Sequence, residues 1–232
     1  MKEEIIAYHG GNKNKDSIKI LYYLIAADLA FLFLAVLQRH TGYFSDSHFN
    51  LTIDGSFAEF YQYGKEIFIA AIFARLSNLW RLPGYLVWSG LFMYFFLDDA
   101  FRIHENLGRS IVKFFGFGSI FGLRAQDFGE LAVFSGFGLL FLLPILVSFL
   151  RCDASHRKIW QHIMFLVILL VICGLGFDMV HSVFSDKGIA IGPITLSSIF
   201  GVIEDFGEMI VMSLCTWYVV NLYRRGGDKI VQ

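Results

Sequence analysis

Two acidic phrases decide the reading of this chain: SIFGLRAQDFGE, Ser119–Glu130, and SIFGVIEDFGE, Ser198–Glu208. They share SIFG and DFGE with one residue of slippage between them, and each enters a stretch apolar enough for lipid. Upstream, Asp99 and Asp178 recur at nearly the same interval. The match identifies a helical hairpin written twice, and such self-similarity is architecture before it is local structure.

The surroundings name the solvent. Of 232 residues only 17% are charged and 17% are aromatic, where a soluble domain carries roughly a quarter charged residues. A spanning helix needs about 20 mostly apolar residues. Six stretches meet that need: Ile18–Leu37, Ala58–Trp80, Gly84–Phe101, Gln126–Leu150, Ile159–Phe184 and Pro193–Tyr223. The expected fold is therefore an all-α polytopic membrane protein of six transmembrane helices. Residues 1–17 form a cytoplasmic N-terminal segment, 18–223 one membrane domain and 224–232 a cytoplasmic tail. The polar start, MKEEIIAYHGGNKNKDSIKI, lacks a cleavage site, so the first apolar block reads as a retained span.

Lys and Arg favour the cytoplasmic side if both termini lie there, by twelve residues to six, which sets the orientation in a plasma or inner membrane. Between spans 3 and 4, Ile103, Leu107, Ile111, Phe114 and Phe115 recur at helical spacing opposite Arg102, Glu105, Asn106, Arg109 and Lys113. That pattern predicts a short amphipathic helix on the outer membrane surface.

A third, fainter copy of the hairpin lies in SFAEFYQYGKE, Ser56–Glu66. With it, every even-numbered span carries a Gln or Glu four residues before a Glu: Gln62 and Glu66, Gln126 and Glu130, Glu204 and Glu208. Residues four apart share a helical face. Asp28 is the first-hairpin counterpart of Asp99 and Asp178. The repeats run parallel, so three hairpins predict a six-helix bundle with rough threefold pseudo-symmetry.

Most intramembrane ionisable groups fall between the outer surface and the midplane on this topology. A carboxylate at such depth costs about 2.5–3.5 kcal/mol on insertion scales. The basic partners Lys65, Arg102, Arg124, His104 and His181 are too few to neutralise the set. Several carboxyls must hold protons, or a cation must supply the missing charge. Asp178-x-x-His181 places a carboxylate and an imidazole one turn apart, an arrangement found in carboxylate-bridged metal sites of helical bundles. The expected ligands are Asp99, Glu130, Asp178, His181, Glu204 and Glu208. Asp28, Glu66, His104, Glu105, Gln126, Asp127 and Asp205 are expected to support them or line a path to them. Oxygen-rich ligation with imidazole suits Fe, Mn or Zn. Against this stands a polar network that merely locks the hairpins together. Asp98 and Arg102, four apart, read as an ion pair capping span 3.

Other chemistries are excluded. His104-Glu105 opens like a zinc-protease motif, but Gly108 stands where the second His is required. The final span has no Lys for a retinal Schiff base, and the His residues are placed badly for haem. Cys152, Cys173 and Cys215 form no CxxC pair and read as apolar packers. Nineteen basic against twenty acidic residues give no footprint for nucleic acid. The readings that remain are a metal-dependent membrane enzyme and a cation-binding transporter. Behind them stand a cation channel or proton conductor, and a sensor or accessory subunit. The partners implied are the bilayer, a lipid or quinone substrate, and a membrane partner or a second copy of the chain.

Overall fold

The computed structural model describes residues 2–41, 47–116, 118–119, 123–185, 189–191 and 194–228. Its long elements are all helices: α1 (Lys2–His40), α2 (Phe57–Trp80), α3 (Gly84–Phe101), α4 (Ile103–Phe115), α5 (Ala125–Arg151), α6 (Ala154–Val171), α7 (Phe177–Ser185) and α8 (Leu196–Asp228). A π-helical segment, Ile172–Gly176, joins α6 to α7. A two-residue antiparallel pair, Ala190–Ile191 with Ile194–Thr195, precedes α8. Ile120, Phe121 and Gly122 of the first acidic phrase, with Lys187 and Pro193, lie outside the described residues.

The first five apolar stretches fall in helix and the sixth is helical from Leu196 onward, but they are not equivalent. Three helical stretches are long and apolar enough to cross a membrane: Asp16–Arg39, Ala125–Arg151 and Ala154–Phe184. The other three, α2, α3 and α8, fall short because polar residues interrupt them, among them Lys65 and Glu66, Asp98 and Asp99, and Glu204 to Glu208. The difference is one of layers. The three apolar stretches present most of their side chains outward, whereas α2, α3 and α8 supply most of the core. Ile69, Phe73, Leu76, Tyr85, Trp88 and Phe92 are all but inaccessible there, closed by Trp160 of α6 and Met212 of α8. An outward-facing helix in lipid must be apolar, whereas an inner one can carry charges that its neighbours satisfy.

Helix pairing departs from three hairpins. α2 packs chiefly on α3 and α8, and α1 packs on α8 more than on α2. α1 does reach α2 through Phe31, whose ring lies 5.3 Å from that of Tyr61. α7 and α8 pack as expected of a hairpin.

Local chemistry sets the ends that matter for the site. Ser56 caps α2 by accepting from the Glu59 N–H at 3.2 Å, and Asp153 caps α6 by accepting from His156 N–H at 2.8 Å. Arg102, at φ 52°, turns the chain from α3 into α4. That left-handed turn overturns the expected Asp98–Arg102 pair, because Arg102 no longer continues the face of α3. Its guanidinium meets Asp54 at 2.8 Å and Glu105 at 2.7 Å instead. Asp98 accepts from the backbone N–H and Nδ1 of His104, at 2.8 and 2.9 Å. α4 is amphipathic as expected, with Leu107, Phe114 and Phe115 exposed, and its other side packs on the start of α5.

Candidate functional site

Asp178 and His181 stand one turn apart on α7, and Glu204 faces them from α8. One ligand atom from each lies within 4.8 Å of the other two. His181 Nδ1 is 3.8 Å from Glu204 Oε2. All three are half-buried. The π segment immediately before α7 widens the helix by one residue per turn, and this shifts the faces of all later residues relative to α6. Such insertions concentrate at functional sites, and this one precedes Asp178 by two residues.

Asp178 and Glu204 of this group line a cavity of about 860 Å³ between α2, α3, α5, α6 and α8. Its upper wall is acidic: Glu59, Glu66, Asp98, Asp99, Glu105, Glu130, Asp178, Glu204, Asp205 and Glu208 all line it. The rest of its wall is apolar, including Trp88, Phe137, Phe141, Ile145, Met164 and Val167. A smaller cavity of about 410 Å³ shares His104, Glu105, Glu130, Asp178 and Glu204 with the first and adds Arg109, Arg124 and Gln126.

The residues expected to act together divide three ways. Asp178, His181 and Glu204 form the compact group. Asp99, Glu130 and Glu208 line the same cavity outside that group, and so do Glu66, His104, Glu105 and Asp205. Gln126 donates from Nε2 to Glu130 at 2.7 Å and to the Glu105 carbonyl at 3.0 Å, tying α5 to α4.

Asp28 and Asp127 do not reach the cavity. Asp28 is fully buried in a separate network: Lys65 Nζ donates to it at 3.2 Å, and Ser213 donates to its other oxygen at 2.6 Å. Lys65 also donates to the Met209 carbonyl at 2.9 Å and lies 4.4 Å from the Tyr61 ring centroid. That network joins α1, α2 and α8. Asp127 is an N-terminal brace for α5, accepting from the Arg124 backbone at 2.8 Å, from its guanidinium at 2.8 Å and from Ser182 at 2.7 Å. Sequence spacing could not separate these two from the cavity carboxylates, because all are acids at similar helical positions.

Spacing also missed what the cavity wall adds. Gln62 Oε1, Glu66 Oε2, the Tyr94 hydroxyl and Trp88 Nε1 are buried without a hydrogen-bond partner among the described residues, and all four residues line the cavity. Tyr94 does lie near Asp98, whose two oxygens are already engaged by His104. Gly174, within the π segment, has Glu208 pressed against it: a methyl group there would stand 2.1 Å from Glu208 Oε1. The small residues of CGLG, Cys173–Gly176, were the visible signal for that close approach.

His104 lines both cavities. Burial draws its imidazole down, but the hydrogen bond to Asp98 and the charges of Asp98, Glu130 and Glu105 outweigh it and raise the group above its ordinary value.

One imidazole and two carboxylates are a ligand set for a divalent metal of borderline or hard character, and three protein ligands leave positions for water or substrate. The fold and the site together define an all-helical protein with three helices of membrane-crossing length and an acidic cavity that holds a group able to bind a metal. Residues 60–222 match a family described as a domain of unknown function (DUF8692), and the chain belongs to that family. No curated protein matches the chain, and neither does any solved structure.

Proposed function

We propose that the protein is a metal-dependent membrane enzyme acting on an amphiphilic substrate, a lipid or a quinone, in the outer half of the bilayer. The six apolar stretches, in α1, α2, α3, α5, α6 continued by α7, and α8, cross the membrane with both termini in the cytoplasm, following the excess of Lys and Arg on that side. Asp178, His181 and Glu204 hold one divalent ion of Fe, Mn or Zn. A metal held there would supply Lewis-acid polarisation of a substrate oxygen or of water, and Glu130, which accepts from Gln126, would exchange protons with the substrate.

The observation that carries this reading is the two-part cavity: a metal-competent group and carboxylates at one end, aromatic and aliphatic walls at the other. That division matches a molecule with a polar head and an apolar tail. It favours catalysis over transport, because Trp88, Phe141, Ile145 and Val167 offer a permeating ion no ligands. The doubled acidic phrase fits the reading, since each copy delivers a Glu to the cavity, Glu130 from α5 and Glu208 from α8.

The test is metal analysis of detergent-purified protein, wild type beside Asp178→Asn and His181→Ala. Near-stoichiometric metal in wild type, lost in both variants, is the expected result. Equal metal content in all three would refute the assignment. Flux into proteoliposomes then separates the readings: uptake of the bound ion would establish the transporter in place of the enzyme.

A further inference from the structure

We infer that the cavity holds a second, deeper site for a hard divalent cation, ligated by oxygen alone from Gln62, Glu66 and Asp99. The inference extends the metal reading above, and it rests on different residues.

Three observations converge. First, Glu66 on α2, Asp99 on α3 and Glu208 on α8 line the same cavity, close enough for the charge of each to act on the others. Buried carboxyls that share a cavity at such range need protons or a cation among them. Second, among the described residues Glu66, 1% exposed, has no hydrogen-bond partner for its Oε2, and Gln62, one turn earlier on the same face and 7% exposed, has none for its Oε1. A proton shared by Glu66 and Asp99 would answer the first observation but would leave the Gln62 oxygen without a donor. A cation answers both, since a metal accepts a carboxylate and an amide oxygen alike. Third, the nearest buried cation is already engaged: Lys65 Nζ is bonded to Asp28, Ser213 and the Met209 carbonyl. Unpaired buried acceptors are costly, so a fold that lines a cavity with two of them beside a carboxyl pair is suited to a ligand that brings positive charge.

The chemistry of the two sites differs. The outer group contains an imidazole and suits a borderline metal. The inner one offers two carboxylates and an amide oxygen, with Glu208 beside them and no nitrogen or sulfur ligand, which selects a hard ion such as Mn²⁺ or Mg²⁺.

The test uses full-length protein in detergent, stripped with chelator and titrated with Mn²⁺, with bound ion counted by mass spectrometry and electron paramagnetic resonance. Wild type is expected to take up two Mn²⁺ per chain. The Gln62→Leu and Glu66→Gln variants are each expected to keep one, and that retained ion reports that the outer site and the fold are intact. His181→Ala is expected to keep the inner ion. Uptake of one Mn²⁺ or none by wild type, or two by either inner-site variant, overturns the inference. The proposed enzyme site fails separately, if His181→Ala leaves uptake unchanged while Glu66→Gln removes an ion.

Discussion

Gly129 on α5 lies against the carbonyl of Gly108 on α4: a methyl group on Gly129 would stand 2.3 Å from that oxygen, and one on Gly108 would stand 2.9 Å from the Glu130 backbone nitrogen. The contact is backbone on backbone, so nothing can rotate away. It seats α4 over the start of α5 and holds His104 and Glu105 above the cavity.

Gly129→Ala is therefore expected to destabilise the protein by about 1–3 kcal/mol through overpacking, read as a lower Tm in detergent. Gly136→Ala, further along the same helix with nothing within 4 Å of the added carbon, is expected to leave Tm unchanged or raise it, by up to about 1 kcal/mol of helix propensity. Equal effects at the two positions would show that the α4–α5 contact does not bear on stability.

Lys65 and Asp28 give the second prediction. Removing one partner of a buried ion pair strands the other and costs about 3–5 kcal/mol. Lys65→Met should unfold readily in a thermal scan. Lys65→Met with Asp28→Leu should recover most of the loss, because the stranded charge goes with its partner. A double variant no more stable than Lys65→Met would mean that the remaining bonds to Met209 and Ser213 matter more than the charge pair.

Much of the helical layout was legible in the sequence because Asp16–Arg39, Ala125–Arg151 and Ala154–Phe184 each hold an apolar run long enough to cross a membrane. The inner helices were harder to read, since Lys65, Asp98 and Asp205 break the pattern that marks a span. For the site, one-turn spacing put Asp178 and His181 on one face, but it did not separate Glu204, which lies near them, from Glu130 and Glu208, which do not join the group. It could not tell Asp205, in the cavity wall, from Asp127, bound to Arg124 and Ser182, because partners distant in sequence decide that. Nor does spacing foresee a π segment, which shifts every later residue off the α-helical register, or a left-handed Arg102, which sends Asp98 to His104.

His104 gives a pH dependence with a definite sign. Its imidazole, ordinarily near 6.5, is raised in the folded state, with the hydrogen bond to Asp98 and the charges of Asp98, Glu130 and Glu105 overcoming the effect of burial. A raised histidine contributes stability that is fully present below its unfolded value and disappears as pH climbs through the folded one. In chelator, Tm should therefore fall as pH rises from below 6.5 through the raised value of the folded state. His104→Gln should flatten that part of the profile. A His104→Gln profile parallel to wild type would assign the dependence to other groups.

The last prediction concerns the methyl group that Gly174 lacks. Added there, it would meet only Glu208 Oε1, at 2.1 Å, and that oxygen is the far end of a flexible side chain. Gly174→Ala should therefore move the Glu208 carboxylate and not the helices, leaving Tm within about 1 kcal/mol of wild type. Its effect should appear in ligand binding, because Glu208 lines the cavity and its charge acts on Asp99 and Glu66. Mn²⁺ affinity at the inner site is expected to fall several-fold, with a similar fall in Glu208→Gln and no change at the outer site. A large loss of Tm in Gly174→Ala would instead show that the π segment has no room to give. In that case the position of Glu208 is set by the backbone of both helices and not by its own side-chain torsions.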